Sequence, residues 1–472
     1  MSGDRSQSVN EPLPHRRPVG CTEHSWCKAV PLGTGVAVQG LLLSKPVDSS
    51  LLLSAVRRLQ VFHPILRSKL HFDAAAGSFS FLTFPDSDLV ISTFDLKSTT
   101  RILESAGERG APAISRFQLI IEHEMGRNAW RDVDPSSDRD WDLLHASVYC
   151  LEEARWAVVL RFHTAACDRT AAATVMRELQ VLLFRGGGEE EEGVNAEIEK
   201  LIPARKANKL FWTRGLNLLG YSLNSFRVSN IDFVDAAFPR SSHIVRLQMN
   251  SGDTQRLLVG CKSRGIKLCG ALVAAALIAG RASKGRRANK CEKYAVLTLI
   301  NCRPILDPPL PSNSAGFYHS GILNSHDICG REKLWELAER TYKTFAKARD
   351  SNKHFSDMGD LNFLMCRAIE NPGLTPSASM RTSFISVFED SVIDNSSSSP
   401  PQQEISMGLE DCIGCSSVHG IGPSIAFFDT VRDGCLDCAC AYPSPLHSRE
   451  QITKLINDMR RLLMDCDGPV VY

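Results

Sequence analysis

An excess of charge is the first thing missing: 54 Lys and Arg stand against 53 Asp and Glu, a net +1. That balance excludes bulk electrostatic attraction to nucleic acid or to an anionic membrane. Long apolar runs are missing as well. None approaches the roughly 18 residues a spanning helix needs, so no transmembrane segment is expected. The opening residues, MSGDRSQSVNEPLPHRRPVG, lack the apolar stretch of a secretory signal, and Asp4 and Glu11 speak against a transit peptide. Cysteine, by contrast, is plentiful at 16. Without an export signal, the expected setting is cytoplasmic, and most thiols are expected to be reduced and used as small core residues.

The 472 residues, 43% of them apolar, suffice for two or three domains with sizeable cores. Asp48 or Ser49 can cap a helix over 48–60, in which Leu52, Ala55, Val56 and Leu59 recur at helical spacing. His63-Pro64 ends it, and 65–70 reads as extended. Residues 157–163, AVVLRFH, read as a buried strand, followed after a short loop by a helix over 170–184. Gly186 to Gly188 and then Glu189 to Glu192 form a solvated, flexible linker. Residues 207–227 are weakly amphipathic and read as a crossover packed on the protein, because Gly215 and Gly220 weaken an isolated helix. Strands at 243–249 and 294–300 flank helices at 254–264 and 268–282. A Ser-rich loop covers 395–403, and the chain closes with a strand over 434–442 and a helix over 448–464.

Taken in order, five segments resemble the acyl-CoA-dependent acyltransferase superfamily, which includes plant BAHD acyltransferases, alcohol acetyltransferases and peptide-synthetase condensation domains. They are HPILRSKL (63–70), VVLRFHTAACDRTAAATVMREL (158–179), KSRGIKLCGALVAAA (262–276), NCRPILDPPLPSNSAGF (301–317) and the final strand and helix (434–464). The resemblance implies an α/β, two-lobed, chloramphenicol-acetyltransferase-like fold, each lobe a mixed sheet flanked by helices, with a channel between the lobes. Its division would be a tail over 1–18, a first lobe over 19–185, a linker and crossover over 186–236, and a second lobe over 237–472. It also implies acyl transfer from a CoA thioester to a small hydroxyl or amine acceptor. A histidine of an HHxxxDG motif would take the acceptor's proton, and the motif aspartate would pair with an arginine of the second lobe. Acyl-CoA would be a co-substrate, and no metal or prosthetic group is expected.

The motif is degenerate here. Without gaps, His163 takes the first histidine position, Thr164 the second, catalytic one, Asp168 the aspartate, and Arg169 replaces the glycine. A threonine hydroxyl cannot serve as a general base near neutral pH. A second register, with one extra alanine and a bulge at Ala165-Ala166, would make His163 the base. Asp168 can cap the helix that follows it and can pair with Arg303; both roles are structural. Ser386 is the candidate polar group on a channel-lining strand. The turn Val418-His419-Gly420-Ile421-Gly422-Pro423 stands where BAHD members carry DFGWG, with His419 a second channel candidate. Cys412, Cys415, Cys435 and Cys438 have zinc-ribbon spacing, but a strand over 434–442 would turn Cys435 and Cys438 to opposite faces. Two main readings stay open: an acyltransferase with His163 as base, or a non-catalytic protein that keeps the channel for binding. A third is a zinc-stabilised interaction protein.

Overall fold

The computed structural model describes residues 14–106, 114–131, 140–185, 196–203, 206, 228–284, 291–394 and 408–465. The linker at 186–192, the crossover at 207–227 and the loop at 395–403 lie outside them. Two mixed sheets carry the architecture. The first runs in the order Leu409–Val418, Thr34–Leu43, Arg155–His163, Leu144–Glu152, Ile91–Phe94. The second runs His319–Ile328, Glu292–Asn301, Arg381–Phe388, Gly422–Arg432, Cys435–Ser444, Ser241–Met249, with Val392–Asp394 beside Gly422–Arg432. A four-stranded sheet of His15–Pro18, Ser78–Thr83, Ser68–Asp73 and Trp141–Asp142 sits on the first lobe.

Local chemistry explains the elements that the sequence marks. Asp48 caps the helix Ser49–Phe62, its carboxylate accepting from the amides of Ser50 (2.8 Å) and Leu51 (3.4 Å). Leu52, Ala55, Val56 and Leu59 form its buried stripe. Pro64 closes it into a short 3-10 turn over Pro64–Arg67, where an extended stretch was expected, and the strand begins only at Ser68. The Ala-rich helix Leu268–Ser283 is buried nearly throughout, as the core helix against the second sheet. Among the described residues no single helix is long and apolar enough to cross a membrane. This helix and Ser251–Ser263 reach that composition only together, with a bend of 103° between them.

The lobes are less separate than a cut at residue 237 implies. Strand Leu409–Val418 belongs to the first sheet, where it pairs antiparallel with Thr34–Leu43. The core of the first lobe also runs onto the second sheet through Ala426, Phe428 and Ala439. Residues 15–18, expected in a free tail, form a strand against Ser78–Thr83. Arg17 fixes it by pairing with Glu23 at 2.7 Å and lying over the ring of Phe81. Among the described residues one disulfide is formed, between Cys291 and Cys329. They stand one step beyond the last ladder pair, Glu292 with Ile328, so the antiparallel register brings them face to face.

Candidate functional site

A cavity of about 820 Å³ runs between the two sheets. Its lining includes an apolar group, Trp26, Met358, Leu361 and Met365, and a charged group, Arg246, Asp411, Asp437, Arg432 and Asp394. Arg246 pairs with Asp411 and Asp437, and Arg432 with Asp394 at 3.0 Å, so both arginines are neutralised and one carboxylate is in excess.

The motif loop leaves the strand Arg155–His163 at the cavity wall, which Thr164, Cys167, Asp168 and Arg169 line. Its geometry follows the ungapped register. Thr164 borders the cavity and donates from Oγ1 to the carbonyl of Gly35 at 2.6 Å. Ala165 and Ala166 close a tight turn in which the amides of Ala166 and Cys167 both reach the His163 carbonyl, at 2.9 and 3.2 Å. No bulge swings His163 round. Strand alternation puts its ring on the face opposite Thr164, where it is fully buried and edge-on to Trp130 at 5.2 Å. Nδ1 accepts from the Ala165 amide at 3.2 Å, and Nε2 has no hydrogen-bond partner among the described residues. Burial pushes this imidazole down to about 3, so it is neutral at physiological pH.

Asp168 ties the lobes together. Its Oδ1 accepts from the Ala171 amide at 2.9 Å, capping helix Arg169–Arg185, and from Arg303 Nη2 at 3.1 Å. Its Oδ2 accepts from Arg303 Nη1 at 3.0 Å and from the Tyr318 amide at 2.8 Å. Burial alone would raise this carboxyl; the Arg303 guanidinium, aided by His319, outweighs it and holds the group well below the usual carboxylate range. Arg303 is fully buried and also donates to the carbonyls of Ser314 and Gly316.

Ser386 borders the cavity from strand Arg381–Phe388. His419, expected there, is turned away from it. Its Nδ1 bonds Ser242 at 2.9 Å, and its Nε2 fills the space beside Gly33, where an added Cβ would come within 1.9 Å of it. Gly33 also has φ +96, so glycine answers both the conformation and the close approach. Burial pushes His419 down to about 4. The four zinc-spaced cysteines are split between sheets, Cys412 and Cys415 in the first and Cys435 and Cys438 in the second. Among the described residues no group of three or more His, Cys, Asp or Glu is placed to hold a metal.

One residue at the cavity escaped the sequence reading. His319 opens the strand His319–Ile328, with Nδ1 2.8 Å from Asp168 Oδ2, a short contact that is out of line for a hydrogen bond. Its ring meets Phe388 edge-on at 5.6 Å. The only sequence signal was a histidine two residues beyond the Gly316-Phe317 turn.

No family model and no curated protein sequence matches the chain. Solved structures do. TRI3 trichothecene 15-O-acetyltransferase from Fusarium sporotrichioides is 10% identical, with a TM-score of 0.70 over 96% of this chain and 95% of that one. Polyketide synthase associated protein 5 from Mycobacterium tuberculosis is 17% identical, with a TM-score of 0.64 over 95% and 97%. The first condensation domain of the calcium-dependent antibiotic synthetase is 13% identical, with a TM-score of 0.62 over 97% and 96%. The class these comparisons define is a fold: the chain has the two-lobed α/β architecture of acetyltransferases and condensation domains over nearly its whole length.

Proposed function

We propose that this chain belongs to the acyl-CoA-dependent acyltransferase superfamily, binds an acyl thioester and a small acceptor in the inter-lobe cavity, and leaves the motif histidine without a chemical role. The placement of His163 carries this reading. A general base must come within about 3 Å, or one water, of the proton it takes. His163 is sealed in the first lobe, and Thr164 stands at the cavity in its place. The cavity's volume of about 820 Å³ and its apolar lining, with Trp26, Met358, Leu361 and Met365, support binding of an acyl group.

The test is calorimetric titration with thioether analogues of acetyl-CoA and octanoyl-CoA, alongside release of free CoA from the parent thioesters. Saturable binding is expected, and His163→Leu should change neither binding nor any turnover by more than about twofold. A loss of turnover of 100-fold or more, the usual weight of a positioned base, would return His163 to the active role. Absence of binding would remove the cavity reading.

A further inference from the structure

Among the described residues that line the cavity there is one histidine, and it comes from the second lobe. We propose that His319 is the general base of this cavity, oriented by Asp168, and that acyl transfer here runs from the strand His319–Ile328 rather than from the motif loop. The inference rests on the reading that the cavity holds an acyl thioester and an acceptor.

Three observations carry it. First, position: the ring sits on the cavity wall with Ser386 and Phe388 of strand Arg381–Phe388, and Thr164 borders the same space from the other lobe. Second, orientation: a carboxylate 2.8 Å from Nδ1 favours the tautomer with its N–H on that nitrogen, which leaves Nε2 on the far side of the ring as the acceptor. The contact is out of line for a hydrogen bond, and catalytic hydrogen bonds often reach full alignment only with substrate bound. Third, anchoring: Asp168 cannot drift, because Arg303 grips both its oxygens and the amides of Ala171 and Tyr318 bind it from either lobe. The amide of Tyr318, the residue before His319, donates to the same Oδ2 that Nδ1 approaches, so one short segment fixes both acid and base.

The reaction balances without any further reagent. Nε2 takes the proton of the acceptor O–H or N–H as that atom bonds to the thioester carbonyl carbon. The carbonyl π electrons move to oxygen. When they return, the C–S bond breaks and the thiolate leaves with the proton from the imidazolium. The products are an ester or amide and free CoA thiol.

The experiment measures release of free CoA from acetyl-CoA and octanoyl-CoA, with water, 1-octanol and octylamine as acceptors, at pH 5 to 9. The proteins are wild type, His319→Ala, His319→Gln and His163→Leu. Binding of the thioether analogues and melting temperature are measured in parallel. His319→Gln keeps an N–H donor for Asp168 but no basic ring nitrogen. Wild type should lose kcat/KM toward acid along a single protonation. Both His319 variants should lose it by at least 100-fold and lose the acid limb, while Gln keeps the melting temperature and analogue affinity of wild type. Added imidazole should restore part of the turnover of His319→Ala, and His163→Leu should behave as wild type. Turnover that survives in His319→Gln overturns the proposal. So does wild type that binds the analogues and releases no CoA at any pH, an outcome that leaves the binding reading standing.

Discussion

Breaking the contact between Asp168 and Arg303 from one side strands a buried charge. Both side chains are buried, at 2% and 1% exposure, so no solvent screens what is left when one is removed. In Asp168→Ala the guanidinium of Arg303 would keep its bonds to the carbonyls of Ser314 and Gly316 but lose its counter-charge. An orphaned buried charge of this kind costs about 3–5 kcal/mol, and loss of the helix cap at Ala171 adds about 1 kcal/mol. At roughly 1 °C per kcal/mol for a chain of 472 residues, the pair term alone lowers the melting temperature by about 3–5 °C. The control is Asp168→Ala combined with Arg303→Met, which removes the stranded charge and should recover a large part of the loss. Differential scanning calorimetry on the three proteins checks it. A single variant that melts within a degree or two of wild type would refute the reasoning, and so would a double variant that melts below the single one.

Two other outcomes follow from buried rings. His163, His326, His419 and His447 are held neutral by burial, at about 3, 4, 4 and 3 respectively, below an unperturbed value of 6.5. Above pH 6.5 neither state protonates them. Below it the unfolded chain takes up protons that the native rings refuse, so each ring costs up to about 2 kcal/mol by pH 5. The urea midpoint should therefore fall steadily from pH 6.5 to pH 5, and a flat profile there would contradict the burial. Gly33→Ala should destabilise by about 1–3 kcal/mol, since it forces a side chain into positive φ and against the His419 ring. Combining it with His419→Ala should relieve the contact but not the backbone strain, so urea curves of the pair should show partial recovery and not full recovery.

How much of this was legible depended on whether the signal was local. Strands 155–163 and 292–301 announce themselves as short apolar runs, and the helix after Asp48 by its cap and stripe. Strand Leu409–Val418, LEDCIGCSSV, does not: it is rich in polar and small residues, and its place is set by pairing with residues 34–43 some 370 positions away. Its two cysteines drew attention as metal ligands because spacing along the chain says nothing about which sheet a strand joins. His319 was missed for the same reason. Its partner, Asp168, is 151 residues distant, and only the docking of the lobes brings them to 2.8 Å.

The two halves of the motif face different physical demands. The position of Thr164 borders a cavity, and its one polar group is satisfied by the carbonyl of Gly35. Little folding energy depends on its identity, so a catalytic histidine there can be absent without loss of the fold. Asp168 is the reverse case. It closes a helix, neutralises a buried arginine and receives an amide from the opposite lobe, so its removal costs stability whatever chemistry the cavity performs. A carboxylate retained for that reason still exerts its field. An imidazole that the lobe interface brings within 3 Å of it is favoured in the tautomer that turns its N–H toward the carboxylate. The structural half of the motif can therefore orient a base that the sequence motif does not contain, and His319 occupies that position.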